Sequence, residues 1–423
     1  MTRKTLTFFT VVVFCFSFGL SLDKSPNVIA IKGAKIIPVV GEDIEQGTIL
    51  IKDGKIEDIG QNVSVPQDAE VYDAQGLIAY PGMIDSYCYL GLQEISAVSA
   101  TVDSRETGQF NPQVKAVEAL WPDSMHIPIT MSNGITTAVV VCTGGLISGQ
   151  VGMIRLAGWT PEEMVIRNSV AMHIQFPSVP RIRRRESQPQ EQTSKQIEEL
   201  KELLNEVRYY QKRKQAAQKN SNLPLPGFDE KLEFLIPVVN GKLPVLISVY
   251  ADKDIRAAIQ FVKDEKLKAI FFGVTDGWKV AEEIKKSGIP VVFGSLYAMP
   301  SEWDNGYDAI YRNPGVLAKA GVKFSFSSQS ASLAKDLPYH AAKAAAFGLD
   351  KKEALKGVTI YPAQIFGVDD SLGSLEKGKA ANIVLADGDI LELSTNIKRV
   401  FIDGKEMDLS NRYTQLLEKY KKR

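Results

Sequence analysis

An α/β chain is what the sequence predicts: a parallel sheet or barrel of alternating strands and helices, flanked by a small β domain built from both chain ends. Three observations carry this expectation. Short strand-like segments fill residues 28–73, apolar strands alternate with helical patterns from residue 82 to 327, and strand-like segments return between 373 and 405. Alternation of the second kind marks a parallel sheet or barrel. Short half-apolar strands bury a face only against partners, so the two ends are expected to meet.

In chain order, the first segments are Val28-Ile29-Ala30-Ile31, Ala34-Lys35-Ile36-Ile37-Pro38, Gly47-Thr48-Ile49-Leu50-Ile51, Lys55 to Gly60 and Glu70 to Asp73. Lys52-Asp53-Gly54-Lys55 supplies the Asp-Gly turn of a hairpin. The middle offers strands at Gly82 to Cys88, Gly134 to Cys142, Ser169 to Ile174, Pro244 to Tyr250, Ala269 to Val274, Ile289 to Gly294 and Val322 to Ser327. Helices fall between them at Asp252 to Glu265, Gly277 to Ser287 and Tyr339 to Phe347. Gln150 to Leu156 is either one more barrel strand or part of a loop hairpin. Arg181 to Asn222 is a charged insertion with Ile197, Leu200, Leu204 and Val207 on one helical face; that face either packs on its own barrel or binds a partner. The Arg181-Ile182-Arg183-Arg184-Arg185 run reads as a solvated loop or a site for an anionic group. Gly373 to Leu385 and Arg399 to Lys405 read as the returning strands.

With 423 residues, 44% hydrophobic and 24% charged, the chain has room for one large domain and a smaller one. Fifty basic residues balance fifty acidic ones, which leaves no electrostatic footprint for nucleic acid or an anionic membrane. Arg3 and Lys4, the apolar run Leu6 to Leu20 and the small residues around Ser21 read as a signal peptide over residues 1–21, hence an exported, periplasmic or secreted protein. The run is short for a bilayer span, which needs about 20 residues, so no stable membrane insertion is expected after cleavage; an uncleaved anchor is the competing reading. Cleavage removes Cys15 and leaves Cys88 and Cys142, as a disulfide or as two buried thiols.

The most informative stretch is Pro81-Gly82-Met83-Ile84-Asp85-Ser86-Tyr87-Cys88-Tyr89-Leu90-Gly91. It resembles the first metal-binding strand of the amidohydrolase superfamily, which reads Pro-Gly-Leu-Ile-Asp-x-His-x-His-Leu-Gly, except that Tyr87 and Tyr89 replace both histidines. Asn133-Gly134-Ile135-Thr136-Thr137, and Thr359 to Val368 leading into Gly373-Ser374-Leu375, extend the resemblance to the imidazolonepropionase-related amidohydrolases over nearly the whole chain. It implies a TIM-like (β/α)8 barrel over residues 81–369, carrying the helical insertion 181–222, with a composite β-sandwich from residues 22–80 and 370–410. It also implies a zinc or other divalent metal centre at the C-terminal mouth and hydrolysis of C–N bonds other than peptide bonds.

Carried over position by position, the ligand set is altered throughout. The fifth-strand histidine falls on Ser248, the sixth-strand histidine near Phe272, and the eighth-strand aspartate, which doubles as general base, on Gln329. Making both phenols anionic at pH 7 would require roughly 8 kcal/mol, and an amide cannot take the water's proton. The expectation is therefore a metal-free, hydrolytically degenerate member without a resident cofactor, whose catalytic residues the sequence does not name. It would bind a small amide-like ligand, form a homo-oligomer or support an intact relative. The alternative is a hydrolase of small or cyclic amides working through altered ligands.

Other polar residues fall near the expected pocket. His173, on a strand, is a pocket candidate or a core histidine, whereas His126 and His340 read as structural. Asp85 belongs to the frame of its strand rather than to the ligand set, and Tyr250, Asp252 and Asp276 follow strand ends. Ser248, His173 and Asp276 name the members of a triad, but no Gly-x-Ser-x-Gly elbow surrounds the serine. Gly144 to Gln150 lacks the Lys-Ser/Thr ending of a phosphate loop and reads as a rim loop.

Overall fold

The computed structural model describes residues 28–178, 189–299 and 305–423. The signal reading of residues 1–21, the Cys15 call and the Arg181–Arg185 run lie outside the described residues. Among the described residues, no helix is long and apolar enough to cross a membrane.

The chain opens with β1 (Val28–Ile36), β2 (Ile44–Lys52), β3 (Lys55–Gly60), β4 (Glu70–Asp73) and β5 (Ile78–Pro81). Asp53 and Gly54 both take positive φ between β2 and β3, the backbone that a two-residue primed turn demands and that Asp-Gly tolerates. The barrel follows: β6 (Met83–Cys88), β7 (Ile135–Val140), β8 (Ile147–Arg155), β9 (Val165–Gln175), β10 (Val245–Val249), β11 (Ala269–Gly273), β12 (Val291–Phe293) and β13 (Phe324–Phe326). The chain then returns to the first sheet as β14 (Ile383–Ala386), β15 (Ile397–Ile402) and β16 (Lys405–Glu406).

Both ends meet in one eight-stranded sheet of order β16-β15-β14-β5-β1-β2-β3, with β4 pairing alongside β1. β5 is the hinge of this arrangement, parallel to β1 and antiparallel to β14. Residues 373–381, expected as strand, form turns instead. Gly373 takes φ +89 there, which glycine adopts freely, a Cβ at that position would lie 2.8 Å from the Ala363 Cβ and 2.9 Å from the Thr359 carbonyl oxygen, and Leu375 donates its N–H to the Pro38 carbonyl.

The second eight-stranded sheet runs in order from β6 to β13. β8 lies antiparallel to both neighbours, and the other pairings are parallel. The ambiguous Gln150 to Leu156 segment is thus both a sheet strand and a hairpin arm. The seam between β13 and β6 is stitched near the mouth by Gln329 N–H to the Tyr87 carbonyl (3.0 Å) and Tyr89 N–H to the Ser330 carbonyl (3.3 Å). Period-two alternation then sorts the side chains: Ile84, Tyr87, Val139, Val151, Ala171, Leu246, Ile270, Phe272 and Val292 fill the inner cluster. Their neighbours face the surrounding helices.

The insertion forms the helix Pro189–Lys219. Leu200, Leu204, Val207 and Tyr210 are buried in the main core, and Arg208 pairs with Glu265 at 2.7 Å. Its apolar face lies on its own barrel.

Candidate functional site

Strand β6 is buried along its whole length, which sends Tyr87 into the barrel just below the mouth. There its ring stacks on Phe272 of β11, with centroids 3.7 Å apart and planes within 6°. Tyr89, one step past the strand, meets Tyr87 edge-on at 5.8 Å, and their hydroxyls are 3.5 Å apart. His173 of β9 also meets Tyr87 edge-on, at 5.7 Å. The six positions singled out in the sequence therefore converge. Tyr87, Tyr89, Ser248 and Gln329 line one pocket, Phe272 is buried against the Tyr87 ring, and His173 bonds to Ser248.

The last contact fixes chemistry. His173 Nδ1 is 2.7 Å from the Cys142 carbonyl and Nε2 is 2.7 Å from Ser248 Oγ. A carbonyl only accepts, so Nδ1 carries the proton and Nε2 accepts from the serine hydroxyl. Burial lowers the His173 pKa to about 4, which keeps the ring neutral and that tautomer in place. Asp276 takes no part: it is buried and lies 3.8 Å from Lys279.

The pocket holds about 510 Å³, inside the range that suits small ligands. Its rim adds Arg105, Glu106, Thr143, Gln175 and Tyr250, and a smaller lobe of about 320 Å³ shares Tyr250 and Gln329. Tyr250 can lie there because Gly273 has no side chain; a Cβ at that position would sit 2.5 Å from the Tyr250 ring. Gln329 takes φ +54, uncommon for its type, and its Oε1 accepts from Ser295 N–H at 3.2 Å. Two larger hollows of about 730 and 700 Å³ lie elsewhere, one lined by the small sheet and the Lys351–Lys356 helix, the other by the strand starts around Lys242 and Lys268.

Arg105 and Glu106 were missed in the sequence. They belong to the long segment after β6, and loops following strand ends build the mouth of such barrels; that position was the available signal. Asp252 turns to Arg256 at 2.8 Å rather than into the pocket. Asp85 holds the seam: its Oδ1 accepts from the N–H groups of Tyr87 (3.2 Å) and Ser328 (3.0 Å). His126 bonds the Glu94 carbonyl and His340 accepts from Leu296 N–H, both structural roles. Cys88 and Cys142 are free, buried thiols.

These residues do not fit a divalent cation. Burial raises the Tyr87 phenol well above its usual pKa and raises that of Tyr89, which adds to the cost of an anionic ligand. Ser248 already donates to His173, both His173 nitrogens are engaged, and Phe272 offers only carbon. Among the described residues, no three His, Cys, Asp or Glu side chains gather to hold an ion.

The sequence signature of the amidohydrolase family matches residues 252–407. The amidohydrolase TasK of Hapsidospora irregularis is 22% identical over 85% of this chain; the match spans only 39% of that longer protein. The imidazolonepropionase of Thermoanaerobacter pseudethanolicus is 23% identical over 82% of this chain and 85% of its own length. Among solved structures, an amidohydrolase from Thermotoga maritima superposes with a TM-score of 0.82 at 25% identity, covering 90% of this chain and 99% of the other.

Proposed function

The chain belongs to the amidohydrolase family, and from that premise we propose that it has given up metal-activated hydrolysis and uses the barrel mouth to bind a small amide-like ligand. The observation that carries this reading is the Tyr87–Phe272 stack. Two aromatic rings in van der Waals contact occupy positions where relatives of this type present imidazoles, and stacked rings exclude the water that a metal would activate. Gln329 supports it further, because an amide orients a water but takes no proton. The pocket above the stack offers phenols, amides, a guanidinium and a carboxylate. Such groups suit a small, neutral or zwitterionic ligand with amide-like donors and acceptors.

Metal analysis of the purified full-length protein tests the reading. After dialysis, zinc, manganese and iron should be present far below stoichiometry, and the melting temperature should not respond to chelator. A tightly held full equivalent of any of them overturns it.

A further inference from the structure

We infer that Ser248 is a nucleophile that accepts the acyl group of a small ester or N-acyl compound bound in the mouth pocket, with His173 as its base. This rests on the reading that the pocket, not a metal centre, is the working site, and it names the class of molecule the pocket takes.

The geometry has the parts that nucleophilic catalysis requires. Ser248 Oγ lies 2.7 Å from His173 Nε2, and Ser248 lines the pocket. The base is oriented by a third group, the Cys142 carbonyl at 2.7 Å, which holds the same tautomer that a triad carboxylate holds. A carbonyl brings no full charge to stabilise the imidazolium, so acylation should be slower than in a carboxylate triad. The Tyr87 and Tyr250 phenols line the same pocket as Ser248, where a hydroxyl can donate to a developing oxyanion.

The step balances without an outside reagent. As Ser248 Oγ bonds to the acyl carbon, its proton passes to His173 Nε2 and the carbonyl electron pair moves onto oxygen, facing the phenols. Collapse of the adduct breaks the bond to the alcohol or amine, which leaves with the proton from Nε2. Water, deprotonated by the same nitrogen, then releases the acid and restores the serine.

The test uses the full chain with a fluorophosphonate probe, read by intact mass and peptide mapping, and p-nitrophenyl acetate, read as a burst of nitrophenol. One adduct at Ser248 and a stoichiometric burst are expected, both lost in Ser248→Ala, unchanged by chelator, and slowed about a hundredfold in His173→Gln. Should His173→Gln fail to fold, Ser248→Cys supplies another arm: the introduced thiol should react with iodoacetamide far faster than the buried Cys88 and Cys142. No adduct on the folded protein, labelling that persists in Ser248→Ala, or no faster alkylation of Ser248→Cys overturns the inference. Failure of labelling in a metal-free protein removes the nucleophile and leaves the binding pocket standing; a retained metal removes the pocket reading itself.

Discussion

Asp85 shows how one side chain ties the barrel's seam to solution pH. It is fully buried, with two N–H groups on Oδ1 and Oδ2 without a partner, an arrangement that favours a proton on the second oxygen. Burial raises its pKa from 3.8 to about 7 despite those hydrogen bonds. The folded state thus binds this proton more tightly than the unfolded chain. Its stabilising contribution is complete below the unfolded value of 3.8 and is lost as pH rises through about 7. Asp85→Asn keeps an oxygen for the two N–H groups and removes the titration. Melting temperatures measured across that window should fall with rising pH in the parent and fall less steeply in the variant; equal slopes would show that Asp85 does not titrate there.

At the scale of elements, the Pro189–Lys219 helix gives a similarly direct test. Leu204 is buried in the main core, whereas Glu202 on the same turn is exposed. Leu204→Ala should cost about 2–5 kcal/mol, and Glu202→Ala should stay within about 0.5 kcal/mol, both by denaturant titration. Equal small effects would mean that the helix does not pack as described. This helix was legible because apolar residues at three- and four-residue spacing have one buried solution. Strand β8 was less so: Gly149 and Gly152 interrupt its pattern, and an antiparallel strand breaks the recurrence of strand and helix that identifies its neighbours. The site was legible in part. Tyr87, Tyr89, Ser248, Phe272 and Gln329 could be placed because the resemblance to the amidohydrolases assigns the family's ligand positions to particular strand ends. The bond between Ser248 and His173 joins residues 75 apart through the register of β9 and β10, which no local pattern records; Arg105 and Glu106 sit in irregular chain with no periodicity to read.

At the scale of the whole molecule, the small sheet makes the barrel's two ends depend on each other. β14 pairs antiparallel with β5, the strand that leads directly into β6. Gly82 donates its N–H to the Asn382 carbonyl at 2.9 Å, and Ala381 donates to Gly54 at 2.8 Å. Leu375, Ile383, Leu385 and Phe401 complete the core against Ile29, Ile31, Ile49 and Ile51. Removing residues 371–423 would expose the edge of β5, open that core and release the strand that positions Tyr87. The final helix, Arg412–Lys421, buries no residue, although Asn411 before it donates to Ser132. Truncation after Asn411 should therefore leave a cooperative melt within about 0.5 kcal/mol of the parent. Truncation after Asp370 should abolish the cooperative transition and expose apolar surface to a hydrophobic dye. A cooperative melt from the shorter chain would show that the barrel folds without its C-terminal strands, and would remove the small sheet from the account of how the mouth is positioned.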